Sequence, residues 1–416
     1  MSERAHKRKR KWCWRIGAFF LLLLLLATGL MEVSGGREAI EQASATIPPP
    51  PGPLYLPLMM RNYNPEELVW SIETVDSEGD VGRYTSLALD GAGNPHVSYY
   101  DATNRDVKFA RWTGSTWVTE TVDRAGQYWN EACYTSLALD SADKPHIAYS
   151  SAYNCGDPYI ACVKYTQWTA SSWITETVAA SPFNIGAYTS LALDRSDRPH
   201  ITYHWSGMHL CGLGYQWWTG TEWRSRGIHT DRSDGSCGHA SLALDSSDTP
   251  HISHRYCAPL SAFPTYLEYL RWTGSGWVTQ TVDMQTDIGS YSLYTSLALD
   301  SLDNPHISYQ GSASLWDVSK GDLKYARWTG SKWVTQIVDS EGAVGQYTSL
   351  ALDSDGNPHI SYYDATNGSL STPGGRGGLG SSRRSIARAM SAGTPLSPWT
   401  AQAIRTSATT TGPTET

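Results

Sequence analysis

Six histidines recur at one point of a pattern, each directly after a proline: His96, His146, His200, His251, His306 and His359. Grouped imidazoles suggest a metal. These stand about fifty residues apart, one per repeat, so they do not converge on one ion. The expectation is a structural role, a hydrogen bond that fixes the turn before each histidine. An aspartate stands six residues before each one (Asp90, Asp140, Asp194, Asp245, Asp300, Asp353), and Asp143, Asp197, Asp248, Asp303 and Asp355 follow in the same turns. Asp353-x-Asp355-x-Asn357 resembles part of a calcium loop without the later bidentate acid. Asx-turn chemistry accounts for the acids, and neither metal nor cofactor is expected.

Tryptophan pairs flank a four-residue turn in each period: Trp112/Trp117, Trp168/Trp173, Trp218/Trp223, Trp272/Trp277 and Trp328/Trp333. Such rings can stack on sugars or pack across a hairpin, and their recurrence favours packing. Aromatics outside the repeat are better pointers to a ligand: Tyr128, Trp129, Tyr153, Tyr159, Trp205 and Tyr256. Cys13 lies near the N-terminus. Cys133, Cys155, Cys162, Cys211, Cys237 and Cys257 form an even set, expected to pair as disulfides in an exported chain. A zinc site is the alternative, although Cys155-x6-Cys162 lacks zinc-finger spacing. No Ser-His-Asp order, glycine-rich phosphate loop or glutamate pair stands out, so no catalytic residue is nominated.

These residues are positioned by a repeat. Ser-Leu-Ala-Leu-Asp ends at Asp90, Asp140, Asp194, Asp245, Asp300 and Asp353, at intervals of 50 to 55 residues. Such a period marks a solenoid, propeller or array. In the copy from Tyr294, a short apolar run to Asp300 (strand A) meets a tight turn through Asn304-Pro305. His306 to Gln310 alternates (strand B), Asp322 to Trp328 is a third run (strand C), and Trp333 to Asp339 alternates after another turn (strand D). Four short strands per period, with no segment long enough for a helix, predict an all-β propeller of four-stranded blades. Six blades are legible. Trp70-Ser71-Ile72-Glu73-Thr74-Val75-Asp76 is a D strand with no A, B or C before it. It is predicted to close the ring as the outermost strand of the last blade, removing an exposed edge.

Phased in this way, residues 70–367 resemble the NHL-type and sialidase-type (BNR-like) propeller repeats, with Ser-Leu-Ala-Leu-Asp innermost. The resemblance implies the fold. It also admits carbohydrate chemistry, as a sialidase-like hydrolase or lyase.

Residues 1–36 carry a basic head and an apolar run, Ile16 to Leu30, that reads as a signal peptide or an N-terminal anchor. Residues 37–66 are a Pro-rich linker that includes the apolar Leu54 to Leu58, expected to pack against the propeller as a strand or plug. The propeller covers 67–367. Residues 368–416 lose the pattern and are expected to be disordered. Codons for a repeat-like Asp-Ser-Glu-Gly-Asn-Val-Gly-Gly-Tyr, read one nucleotide later, spell Ile386 to Gly393, and the same shift turns YTSLALDGAGNPHIS into Thr394 to Ala408. The tail therefore reads as a seventh repeat out of frame, the alternative being an ordinary low-complexity tail.

The net charge is −8, with basic residues concentrated in the head and tail and an acidic propeller between. That balance argues against nucleic acid and against an anionic membrane surface; a membrane would be met only through an uncleaved N-terminus. The expected function is an exported, monomeric, non-catalytic propeller that binds a glycan or a protein at the cell surface. A carbohydrate-active enzyme and a repeat scaffold without a small-molecule site are the alternatives. Loops at the rim where D–A and B–C connections emerge, in blades 2 to 4, are the expected ligand face.

Overall fold

The computed structural model describes residues 54–59, 70–125, 133–151, 155, 160–181, 184–206, 211–228, 236–257, 265–285, 294–312, 321–353, 356–364, 366 and 369–371. All of them belong to one compact unit, Pro49–Thr416. The apolar run 16–30, most of the linker and the tail from 372 lie outside the described residues. Among the described residues no helix is long and apolar enough to cross a membrane.

Two strands precede the blades, β1 (Leu54–Met59) and β2 (Trp70–Asp76). Blade 1 is β3 (Val81–Leu89), β4 (Pro95–Asp101), β5 (Asp106–Trp112) and β6 (Trp117–Arg124). Blade 2 is β7 (Thr135–Leu139), β8 (Pro145–Ser151), β9 (Ala161–Trp168) and β10 (Trp173–Ser181). Blade 3 is β11 (Asn184–Leu193), β12 (Pro199–Ser206), β13 (Cys211–Trp218) and β14 (Trp223–Ile228). Blade 4 is β15 (Ser236–Leu244), β16 (Pro250–Cys257), β17 (Thr265–Trp272) and β18 (Trp277–Gln285). Blade 5 is β19 (Thr295–Leu299), β20 (Pro305–Ser312), β21 (Gly321–Trp328) and β22 (Trp333–Asp339). Blade 6 is β23 (Gln346–Leu352), β24 (Pro358–Asp364) and the short β25 (Ser369–Ser371). Each blade is an antiparallel sheet with its strands in chain order, and the molecule is an all-β propeller.

Blades meet through their inner strands: β3 packs on β7, β7 on β11, β11 on β15, β15 on β19 and β19 on β23. Two devices repeat at these interfaces. The leucine after each inner-strand serine is driven inward; Leu137, Leu191, Leu242, Leu297 and Leu350 are buried, each worth about 1.5–3 kcal/mol of transfer free energy. The backbone N–H of the same leucine donates to the serine hydroxyl of the preceding blade: Leu137 to Ser86 (2.9 Å), Leu191 to Ser136 (3.0 Å), Leu242 to Ser190 (3.1 Å), Leu297 to Ser241 (3.1 Å) and Leu350 to Ser296 (3.0 Å). The turn aspartates add a third link on the far rim. Asp143, Asp197, Asp248 and Asp303 adopt left-handed φ near 60°, and each accepts from a turn N–H of the preceding blade (Gly91, Ser141, Arg195, Ser246) at 2.8–3.0 Å.

The recurrent histidines fix these turns. Oδ1 of Asp140 accepts the N–H groups of Ala142 and Lys144, both at 2.8 Å. Its Oδ2 lies 3.5 Å from His146 Nε2. A carboxylate only accepts, so the ring turns Nε2–H toward it, and the Tyr165 phenol donates to Nδ1 at 2.5 Å. The Asp-His-Tyr relay repeats as Asp194-His200-Tyr215, Asp245-His251-Tyr269 and Asp300-His306-Tyr325. In blade 1 Phe109 holds the tyrosine position, and His96 Nδ1 has no partner among the described residues. Burial lowers the pKa of the relay histidines, to about 4 at His200, against the pull of the aspartate.

The tryptophan pairs pack as hairpin clamps, with ring centroids 5.5–5.7 Å apart. The second ring of a pair also lies on the C strand of the preceding blade, as Trp173 does on Phe109 (5.5 Å) and Trp223 on Tyr165 (5.4 Å).

One expectation is corrected. β2 pairs with β1, not with blade 6. The outermost strand described in blade 6, β25, has three residues and pairs only with β24, too little edge to hold a seven-residue strand.

Candidate functional site

The start of each inner strand and the end of each B strand meet near the axis, on the rim of the longer loops. Here six aromatic rings stand side by side, one per blade: Tyr84, Tyr134, Tyr188, His239, Tyr294 and Tyr347. Successive centroids are 4.5, 4.7, 3.8, 4.0 and 4.1 Å apart. Tyr84, Tyr188 and Tyr347 hold left-handed φ of 53°, 55° and 51°, a strain of order 1–3 kcal/mol each for a bulky residue. A glycine two residues earlier makes the turn possible. At Gly345 (φ 87°) a Cβ would lie 2.9 Å from the Leu323 backbone. Burial, with Tyr347 nearby, pushes the Tyr84 phenol up to about 12, and the Tyr134 and Tyr294 phenols are raised further.

The ring is uniform except at blade 4, where His239 replaces tyrosine between Tyr188 and Tyr294. The same interface departs from the repeat in four more places. Between blades 1 and 2 and between blades 4 and 5 an outer-strand aspartate binds the next blade's B-strand tyrosine and C-strand lysine, whereas between blades 2 and 3 those positions carry Ala179, Tyr203 and Gly214. Asp123 accepts from Tyr149 and from Lys164 (2.9 Å), and Asp283 from Tyr309 (2.9 Å) and Lys324 (3.3 Å). Between blades 3 and 4 the three positions carry His229, His254 and Glu268. His254 and Glu268 face each other in register across β16 and β17. Interblade hydroxyl pairs such as Ser98-Thr135 and Ser253-Thr295 (both 2.9 Å) also fail here, because Ala240 stands where threonine recurs.

The result is a concentration of unmet hydrogen-bonding capacity. Thr202 Oγ1, His204 Nε2, His239 Nε2 and His254 Nδ1 are buried without a partner among the described residues. Burial, reinforced by His204 nearby, holds His239 well below the usual histidine range and His254 at about 3, so both are neutral. Arg255, wholly buried, lies over the Tyr309 ring at 5.9 Å. Leaving a buried polar group unpaired costs about 1–3 kcal/mol, and four in one place call for a ligand or bridging water. Among the described residues no three His, Cys, Asp or Glu are placed to hold a metal ion. An open cleft of about 480 Å³ on the opposite rim, lined by Ser247, Asp248, Arg271 and Trp272 among others, is built from turns that every blade repeats, so it offers nothing distinctive.

Of the aromatics nominated from sequence, Tyr128, Trp129, Tyr153 and Tyr159 lie outside the described residues, as does the side chain of Tyr256. Trp205 is half-buried and packs against the cluster between blades 2 and 3. A Cβ on Gly212 would meet its indole at 2.7 Å, so the ring covers a strand rather than standing free. Cys155 and Cys162 are bridged (Cα–Cα 5.8 Å). Cys133, expected in a bridge, is a free thiol, buried between blades 1 and 2 and donating to the Ser150 carbonyl at 2.9 Å. Burial raises its pKa and leaves it no exposed approach for another sulfur. The side chains of Cys211, Cys237 and Cys257 are outside the described residues. His204, His239, His254 and Glu268 were not nominated. Aligning the repeats flags three of them, as histidine for tyrosine at 239 and 254 and glutamate for lysine at 268.

No family model matches the chain, and no curated protein matches it. Among solved structures it is similar to a polysaccharide lyase of family PL25, an ulvan lyase, at 16% identity over 70% of this chain and 83% of that one, with a TM-score of 0.48. It is similar to AofleA of Arthrobotrys oligospora (12% identity, 65% and 76% covered, TM-score 0.44). The intramolecular trans-sialidase of Ruminococcus gnavus is a third (12%, 69% and 90%, TM-score 0.43). At these identities the likeness is one of fold and brings no activity with it.

Proposed function

We propose that the chain is an exported propeller that binds a glycan on the long-loop rim between blades 3 and 4. One observation carries the reading. Of the four residues with unpaired atoms, His239 lies between the rings of Tyr188 (3.8 Å) and Tyr294 (4.0 Å), and His204 lies beside Tyr188 (6.2 Å). Sugars present apolar C–H faces to aromatic rings and hydroxyls to neutral imidazoles, which accept or donate as the tautomer allows. The disulfide Cys155–Cys162 suits an oxidising compartment, and the acidic propeller disfavours polyanions. The protein acts as a monomer, free or held at the cell surface by residues 16–30.

A glycan-array screen of the purified protein tests this, with His239→Tyr as the variant. The substitution restores the repeat residue, so the fold should keep its melting temperature while affinity falls at least tenfold. No bound glycan, or equal affinity in the variant, rejects the site. A second reading, a carbohydrate-active enzyme, draws on Glu268 facing His254 beside buried Arg255. Release of new sugar ends from a bound polysaccharide, lost in Glu268→Gln, would favour it over binding alone.

A further inference from the structure

We infer that the seam between blade 6 and blade 1 is a socket for a two-stranded A–B hairpin of this same repeat, the inner half of a seventh blade whose outer half is β1–β2. The register of β1 on β2 is the first observation. Leu54 faces Asp76, Tyr55 faces Thr74 and Met59 faces Trp70, with a bulge between Leu54 and Tyr55. In blade 1 Val107 faces Asp123, Lys108 faces Thr121 and Trp112 faces Trp117, with the bulge between Val107 and Lys108. Blades 4 and 5 place it at Leu267/Glu268 and Leu323/Lys324. β1 and β2 are therefore a C strand and a D strand in the blade register.

Their place is fixed by Asp76. It accepts from Tyr99 (2.7 Å) and from Lys108 of blade 1, as Asp123 accepts from Tyr149 and Lys164 of blade 2. β2 thus sits against blade 1 as the outer strand of the blade before it. Burial alone would raise the Asp76 carboxyl; the bonds to Lys108 and Tyr99 outweigh it and hold the group below the usual range.

Among the described residues no strand fills the inner half of that blade, against blade 6 or against blade 1. No packing of β23 on β3 matches that of the five successive inner-strand pairs. On blade 6, Ser349 is 2% exposed, yet its Oγ has no partner among the described residues. Its equivalents Ser86, Ser136, Ser190, Ser241 and Ser296 each receive a leucine N–H from the following blade. The His359 side chain is 44% exposed where those of blades 1 to 5 are at most 9%. On blade 1, Leu87 is half-buried where its five counterparts are buried. An inner strand with Ser-Leu-Ala-Leu-Asp would give Ser349 its donor and cover Leu87, and the attached B strand would join β1. The sequence of that hairpin is what residues 394–408 spell in the shifted frame.

The probe is a synthetic peptide copying residues 84–100, added to the full chain. Saturable one-to-one binding with a rise in melting temperature is expected, and a shuffled peptide of the same composition should do neither. Ser349→Ala should weaken binding about five- to tenfold, the worth of one buried hydrogen bond. A chain carrying the frame-corrected hairpin should melt higher and no longer take up the peptide. Absence of binding to the unmodified chain, equal binding of the shuffled peptide, or a dimer in sedimentation whose dissociation the peptide does not promote would each overturn the assignment.

Discussion

The interfaces between blades 1 and 2 and between blades 3 and 4 are made from the same strands and close in opposite ways. At the first, Asp123, Tyr149 and Lys164 form one bonded group, and the Ser98 and Thr135 hydroxyls hydrogen-bond to each other. At the second the corresponding positions hold His229, His254, Glu268, Thr202 and Ala240, and four polar atoms there are left without partners among the described residues. At the first seam the polar groups are consumed by the neighbouring blade; at the second, four of them have no partner among the described residues. On the proposed reading, stability and recognition are separated along the ring, as expected when consistent local choices fail at functional positions.

Acid should break the comparison hardest. Burial depresses the relay histidines together with His239 and His254, so between their folded pKa values and about 6.5 the unfolded chain binds more protons. Their contribution is full above about pH 6.5 and falls as pH drops. The loss is about 1.4 kcal/mol per histidine per pH unit, ending near 4 for His200 and 3 for His254. The turn aspartates, held below their usual range, act later, below about pH 4. Urea midpoints at pH 7.5, 6 and 5 check this; a flat profile over that span is incompatible with neutral buried imidazoles.

Next in size is Asp123→Ala. The Lys164 side chain is 4% exposed, and stranding a buried charge costs about 3–5 kcal/mol. Asp283→Ala should cost less, since the Lys324 side chain is 21% exposed. Reversal of that order in chemical denaturation would show that the bonded groups are not the source of interface strength. The triple change His229→Asp, His254→Tyr and Glu268→Lys installs the usual group between blades 3 and 4. It should raise stability by about 1–3 kcal/mol and abolish glycan binding. A variant that still binds would move the site elsewhere. The smallest effect is expected from Phe109→Tyr, which gives His96 Nδ1 a donor and should gain about 1 kcal/mol. Tyr165→Phe should lose a similar amount at His146.

The blades were legible because the repeat states its physics six times over: alternating leucines, an aspartate-led turn closed by proline, and a histidine at a fixed offset. The turn role of the histidines could be anticipated, but the phenol that completes the relay lies on another strand and is visible only in register. The site was harder. Nomination by aromatic character favoured Trp205, whose indole is occupied by its own blade. The informative residues were substitutions at aligned positions, His239 and His254, whose meaning depends on the tyrosines they replace. Parity of the cysteines likewise suggested that all six pair, whereas Cys133 enters an apolar interface where its thiol behaves as a small hydrophobe.

The serine-to-leucine links between inner strands have a consequence for how such a gene can change. Every blade presents the same socket on one face and the same plug on the other, so any copy can follow any other. Slippage during replication that adds or deletes one period need not ruin the joints it creates. It alters the circumference, and selection then acts on whether the two ends still meet.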